Sequence, residues 1–321
     1  VRILVASPID PEALDRLQAD HDVVVAFGAP EDDLRRLVVD REAIVFRSGV
    51  AISSEVLAAG GELRLLVRAG SGLDNLDLPQ VRRRGIELHR IPGPGAQAVA
   101  ELTFGHMLSI ARGIALGDRL LREGHWAKSD LVGYNLTGKT LGIVGLGSIG
   151  RRVAALGSAW GMHPVGCVEH PSPHRTEEFA AQGIVLTDLD GVLAVADFLT
   201  IHVPLNERTR GLIGRAELGR LKPGAFVVNI ARGGVVDEAA LYDELQPGGR
   251  VRAAGLDVHI NEGEGKVSPL AGLPNVVLTP HIGASTVDAQ REIGREVVAI
   301  FAADRTARED AAMDDAVVEP A

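Results

Sequence analysis

Thr140-Leu-Gly-Ile-Val-Gly145-Leu-Gly147-Ser-Ile-Gly150 runs from a short apolar segment into three spaced glycines. Leu141, Ile143 and Val144 predict a buried strand. Ile149, Val153, Leu156 and Trp160, three or four residues apart, predict a helix directly behind the glycines. Strand, glycine turn and helix in this order form a dinucleotide seat. Gly145 permits the tight turn, Gly147 lets backbone approach a pyrophosphate, and Gly150 lets the helix pack on the strand. The free N–H groups of Ser148 and Ile149 at the helix start then face the phosphates. A second apolar run over 164–168 ends in Glu169, which follows Gly150 by 19 residues. A carboxylate at that spacing accepts hydrogen bonds from the adenosine ribose and repels a 2′-phosphate, so NAD is expected over NADP. His170, His174 and Arg175 follow at once and keep a phosphate acceptor within reach. His202, closing the next strand of this series, is counted among the cofactor contacts.

The rest of the composition narrows the classes. The chain has 321 residues, 46% hydrophobic and 24% charged, which suits two globular domains. Aromatic residues are only 3%, so the cores must be built from Val, Leu, Ile and Ala. A net charge of −10 argues against a nucleic-acid partner, whose phosphates need a basic footprint. The single cysteine, Cys167, rules out an internal disulfide and a Cys-rich metal site; it reads as a small core residue, and no metal is expected. No apolar run approaches a membrane span, and the short apolar start leads into an acidic helix rather than a signal peptide, so no membrane partner and a cytoplasmic location are expected.

Along the first third, strands expected over 2–6, 23–27, 43–47, 63–68 and 86–91 alternate with helices over 11–19, 31–39, 53–59 and 78–84. Such alternation means a parallel sheet covered on both faces. Two loops fall at strand ends: the glycine-rich 68–75, able to hold an anion on backbone N–H groups, and Pro92-Gly-Pro-Gly95, which marks a hinge. One long helix is expected over 97–121, apolar nearly all round and therefore buried on several sides; His106 on its stripe reads as a packed histidine. The glycine motif opens a second series of six strands, the later ones over 197–202, 225–230, 251–258 and 275–278, with helices over 215–221 and 238–245. A last helix is expected over 286–303, and an acidic, Ala-rich tail from Thr306 reads as a mobile end or weak helix.

Three side chains stand just past strands of this second series. Arg232, between Ala231 and Gly233, can clamp a carboxylate with two parallel hydrogen bonds; the plainer reading pairs it with Asp237 or Glu238. His281 is suited to proton transfer near neutral pH. A carboxylate beside it would orient the ring, and Glu262 is the first choice for that role, ahead of Glu264.

With these residues in place the chain resembles the D-isomer-specific 2-hydroxyacid dehydrogenases, and within them the catalytic part of D-3-phosphoglycerate dehydrogenases. The resemblance rests on RAGSGLDNLD (68–77), AVAELTFG (98–105), TLGIVGLGSIG (140–150), NIARGGVVDEAAL (229–241), AAGLDVHINE (253–262) and LTPHIGAST (278–286). It implies an α/β fold of two doubly wound parallel-sheet domains: a Rossmann NAD-binding domain over 97–283, inserted in a flavodoxin-like substrate domain made of 1–96 and 284–321. It implies Arg232 on the substrate carboxylate, Glu262 paired with His281, and His281 as acid/base. Asp257 and the backbone of Ala231 would hold the nicotinamide amide, and the amides of Ala69, Gly70 and Ser71 the carboxylate of a 2-keto or 2-hydroxy acid. Arg68, with Arg47 second, is a candidate ligand for a substrate phosphate; otherwise Arg68 is a surface arginine paired with Asp74 or Asp77. A homodimer built around the 97 helix and the loop containing Trp126 is implied as well. The chain departs from the family pattern at Gly95, where Asn is usual, and at Gly263, where Pro usually follows the catalytic Glu; a regulatory module after residue 321 is not expected. Two other readings are an enzyme for another, unphosphorylated 2-keto acid and a non-catalytic NAD-sensing scaffold. Formate oxidation is disfavoured, because related formate enzymes pair the His with Gln.

Overall fold

A computed structural model of the chain describes residues 1–317. The chain divides into two compact units, Val1–Gly95 joined by the chain from Ala284 onward, and Ala96–Gly283.

The first unit carries five parallel strands: β1 (Arg2–Val5), β2 (Asp22–Val25), β3 (Ala43–Phe46), β4 (Leu65–Arg68) and β5 (Glu87–Arg90). Their order, β2-β1-β3-β4-β5, is that of flavodoxin-like sheets. β3 and β4 are buried on both faces; β3 is apolar throughout and β4 is apolar up to Arg68, which is buried as well. Period-two alternation splits the core in two. Leu4, Ile44, Phe46 and Leu66 face the helices Glu31–Leu37, Ser54–Ala59 and Leu78–Arg83. Ile3, Val5, Val45 and Val67 face Leu17 of the helix Pro11–Asp20 and Ile293, Val297 and Phe301 of the C-terminal helix. Short polar side chains start the helices: Asp10 accepts from Ala13 N, Ser53 from Val56 N and Asp77 from Gln80 N. The C-terminal helix, Val287–Val317, is pinned to this unit by a two-pronged bond from Arg64 to Asp304, at 2.6 and 2.7 Å. It continues well past the expected end at 303; the last four residues of the expected tail lie outside the described residues.

The second unit holds seven parallel strands: β6 (Thr140–Val144), β7 (His163–Cys167), β8 (Val185–Leu186), β9 (Phe198–Ile201), β10 (Ala225–Asn229), β11 (Val251–Leu256) and β12 (Val276–Leu278), in the order β12-β11-β10-β9-β6-β7-β8. One strand more is present than expected. β8 spans two residues, too few to show alternation, although Asp188, which caps the helix Leu189–Val195 behind it, was a readable signal. The expected helix over 97–121 is two helices, Gly93–Arg112 and Ile114–Arg122, because Gly113 adopts the left-handed φ of 63° and breaks the run. The first begins earlier than expected; Pro94 sits in its opening turn, where a missing N–H is no loss. The core is aliphatic, as the composition requires, with Phe198 stacked on Phe226 at 4.5 Å between ring centres.

The register of the strands sets where their loops emerge. Asn229 of β10 pairs with Leu256 of β11, and Leu256 with Leu278 of β12, so the three strands end level. Val144 of β6 likewise pairs with Cys167 of β7 and Ile201 of β9. Among the described residues no helix is long and apolar enough to cross a membrane.

Phe301 is fully buried against the first sheet. Phe301→Ala should lower the free energy of unfolding by about 3–5 kcal/mol in urea denaturation; an unchanged midpoint would show that the C-terminal helix does not hold this unit.

Candidate active site

The dinucleotide seat forms where the strand order reverses, between β6 and its two neighbours. Gly145 N donates to Cys167 O at 3.1 Å, tying the turn to the end of β7. Gly145 has a φ of 97°, and a Cβ there would stand 2.7 Å from His202 O. A Cβ on Gly150 would fall 2.0 Å from Gly145 O, so the helix Ser148–Ala159 can approach its strand only with glycine. Gly147 differs: a Cβ there would meet nothing within 4 Å. No protein neighbour demands that glycine, and the open space over it suits the approach of a pyrophosphate. No side chain caps the helix, which leaves the N–H groups of Ser148 and Ile149 for the same phosphates. These residues fit a dinucleotide. Cys167 is buried, which pushes its thiol up to about 11, and it plays no chemical part. His202 is held neutral by burial, its pKa lowered to about 3, and its Nε2 bonds Thr200 Oγ1 at 2.9 Å.

Past β10, the buried Asn229 shapes the turn that carries Arg232. Its Oδ1 accepts from Ala231 N and its Nδ2 donates to Arg232 O, both at 3.1 Å. Arg232 Nη1 donates to Ala231 O at 2.7 Å. The plainer pairings with Asp237 or Glu238 do not form. Asp237 caps the helix Glu238–Glu244, and the buried Glu238 accepts Ile260 N at 2.7 Å.

Asp257, past β11, is fully buried. Its carboxylate accepts from Ile282 N at 2.9 Å, Gly283 N at 2.8 Å and Thr279 Oγ1 at 2.5 Å, and its carbonyl accepts His281 N at 2.8 Å. The segment 279–283 is therefore wrapped around one buried anion. The resemblance would give Asp257 to the nicotinamide amide; its Oδ1 accepts two of these donors and its Oδ2 one, and a carboxylate has room for a further donor. His281 on that loop has a φ of 55°, the one positive φ outside glycine among the described residues. A side chain tolerates it only where its surroundings over-determine it. Thr279 has one hydroxyl proton, spent on Asp257, so the His106 Nε2 at 2.9 Å must be the donor to Thr279. Burial lowers the pKa of His106 and keeps it neutral. The helix histidine is thus packed, as its stripe suggested, and supports the loop.

Glu262 meets His281 as expected: His281 Nδ1 lies 2.8 Å from Glu262 Oε2. The other oxygen, Oε1, accepts His259 N at 3.1 Å. Burial alone would raise the carboxyl pKa, but the His281 ring and the His259 N–H outweigh it and leave the value below the usual range. Glu262 stays ionised and holds its partner's ring. Gly263 has a φ of 122°, which proline could not adopt, so the glycine here belongs to a differently shaped turn that still delivers Glu262. Glu264 is exposed and does not bond the ring.

The loop past β4 corrects two expectations. Ala69 N donates to Phe46 O at 2.9 Å and Gly70 N to Arg68 O at 2.8 Å, so of the three amides assigned to a substrate carboxylate only that of Ser71 is left without a protein acceptor among the described residues. Arg68 is not a surface residue: it is buried, donates to Gly72 O at 2.8 Å and sits 5.6 Å from the Phe46 ring centre. Asp77 is used as a helix cap. Arg47, past β3, is half-buried, and burial lowers its pKa; its guanidinium bonds no group among the described residues. Its backbone N–H donates to Ser7 Oγ, past β1, at 3.0 Å. The residues whose roles sequence reasoning missed, Asn229, Glu238, His259 and Thr279, are polar groups at the end of a strand, just beyond one or at a helix start. That placement was their only signal.

Known proteins bear on this geometry. Residues 104–283 match the family model described as D-isomer specific 2-hydroxyacid dehydrogenase, NAD binding domain. The hydroxypyruvate reductase of Thermotoga maritima is 40% identical over 306 residues, covering 92% of this chain and 96% of that protein. The D-3-phosphoglycerate dehydrogenase of Archaeoglobus fulgidus is 41% identical over 295 residues; the match covers 92% of this chain but only 55% of that longer protein. The structure of D-lactate dehydrogenase from Aquifex aeolicus, complexed with NAD and lactic acid, superposes with a TM-score of 0.84 at 27% identity, covering 99% of this chain and 100% of that one.

Glu262→Gln should move the alkaline limb of the keto-acid reduction profile to lower pH, because an amide stabilises an imidazolium less than a carboxylate does. An unmoved limb would show that Glu262 does not set the ring's protonation.

Proposed function

The chain belongs to the D-isomer specific 2-hydroxyacid dehydrogenase family, and on that premise we propose that it interconverts a three-carbon 2-keto acid and its D-2-hydroxy acid, with phosphohydroxypyruvate and 3-phosphoglycerate as the preferred pair. The observation that carries the reading is the Glu262–His281 pair on a loop locked around a buried carboxylate. The cofactor is NAD, which when bound supplies a hydride to C2 or removes one. His281 Nε2, the nitrogen turned away from Glu262, gives its proton to the carbonyl oxygen in reduction and takes it back in oxidation. Glu262 steadies the imidazolium. Arg232 grips the substrate carboxylate and stabilises the charge that develops on the oxygen.

The phosphate preference rests on Arg47. Open α/β sheets bind ligands at the carboxyl ends of their strands where the order reverses. In the first sheet that place lies between β1 and β3, where Ser7 and Arg47 meet. A half-buried guanidinium with no carboxylate partner among the described residues suits a substrate phosphate, and Ser71 N–H suits the carboxylate. Arg68 then acts by shaping its loop. A second reading, hydroxypyruvate itself, is favoured by the near full-length match to a hydroxypyruvate reductase. We also propose a homodimer in the cytoplasm. Its support is the apolar surface that Ile114, Leu121, Trp126 and Val132 expose on the second unit; Trp126 is 79% and Val132 81% exposed.

Turnover of NADH with a panel of keto acids tests the reading; binding without turnover would identify a scaffold. His281→Ala should lower kcat about 10²-fold or more. Arg47→Ala should raise KM for phosphohydroxypyruvate about 10- to 100-fold and barely change that for hydroxypyruvate. Equal effects on both would remove the phosphate role, and faster turnover of hydroxypyruvate by the unmodified chain would favour the second reading.

A further inference from the structure

Glu169, the residue expected to exclude a 2′-phosphate, does not stand alone. Arg208 Nη1 donates to Glu169 Oε1, and this bond comes first among the influences that hold the carboxyl below its usual pKa. Arg208 is 39 residues away in sequence and comes from the turn after β9. Strands β7 and β9 flank β6 in the sheet, so the two side chains reach each other from the strands on either side of the glycine turn, where the adenosine half of a dinucleotide lies.

The turn that presents Arg208 is tightly built. Asn206 Oδ1 accepts the N–H groups of Arg208 and Thr209, at 2.9 and 3.1 Å. Thr209 Oγ1 donates to Pro204 O at 2.6 Å and accepts Asn206 N at 2.9 Å. The backbone is fixed while the guanidinium remains 77% exposed and its partner 58% exposed. An ion pair this exposed is worth little and opens at little cost. Arg175 Nη1 donates to His170 O at 3.1 Å, which puts a second guanidinium beside the tip of β7. A bare carboxylate would repel a phosphate; a carboxylate answered by a guanidinium does so less. The planar fork of arginine also matches phosphate oxygens two at a time.

We propose that Arg208 is a cofactor-selecting residue: it leaves Glu169 to grip an adenosine 2′-phosphate, so that this seat takes NADPH as well as NADH. The proposal rests on the dinucleotide seat at Gly145–Gly150. With NADH, Glu169 accepts from the ribose hydroxyls; with NADPH, Arg208 swings to the phosphate.

Calorimetric titration of the whole chain with ADP and with 2′,5′-ADP tests this by binding alone. The unmodified chain should bind the two within about tenfold of each other. Arg208→Ala should weaken 2′,5′-ADP about tenfold or more and change ADP less than about twofold, the loss expected for one charge-assisted bond. Arg208→Lys should recover part of the difference, and Glu169→Gln should tighten 2′,5′-ADP. If Arg208→Ala leaves the ratio of the two affinities unchanged, or weakens both ligands equally, Arg208 only orients Glu169 and the proposal is wrong. If ADP itself fails to bind the unmodified chain, the seat is misplaced and the underlying reading fails instead.

Discussion

One buried anion organises the catalytic end of the second unit. A carboxylate removed from water is strongly destabilising unless donors surround it. Asp257 meets three, two of them backbone N–H groups of consecutive residues, and its own carbonyl takes a fourth from His281. The chain past β12 is thereby bent round a fixed point, and the positive φ of His281 follows from that bend. His106, from the helix Gly93–Arg112, completes the shell by donating to Thr279. The same geometry turns Nδ1 of His281 toward Glu262 and Nε2 away from it.

Topology explains why the other groups lie where they do. β10, β11 and β12 end level, so the turns behind them deliver Arg232, Asp257 and His281 along one edge of the second sheet. Each sheet has its own reversal of strand order. At one, Gly145 and His202 crowd so closely that no side chain fits. At the other, Ser7 braces the backbone of Arg47. The first of these places suits a ligand's phosphates through backbone N–H groups, the second through a guanidinium.

Much of this was legible because it is local. The glycine spacing of 145–150 reads directly as turn and helix. Glu262 and His281 were visible because each stands just past an apolar run that could only be a strand. Three things were hidden for physical reasons. The break at Gly113 lies inside an apolar stripe that continues on both sides of it, so periodicity ran through the bend. The N–H groups of Ala69 and Gly70 looked available because their acceptors, Phe46 O and Arg68 O, depend on strand pairing and a tight turn that composition does not display. Arg208 carried no local signal; its meeting with Glu169 is a consequence of strand order, which brings β7 and β9 to either side of β6.

The central claim is that the Glu262-held His281 carries the proton that accompanies the hydride. It is tested most directly by the pH dependence of kcat/KM in both directions on the same protein. Reduction of the 2-keto acid needs the protonated ring and should fall as pH rises; oxidation of the 2-hydroxy acid needs the neutral ring and should fall as pH drops. Both limbs should vanish in His281→Asn. Profiles that are flat, or that bend the same way in both directions, would contradict the account.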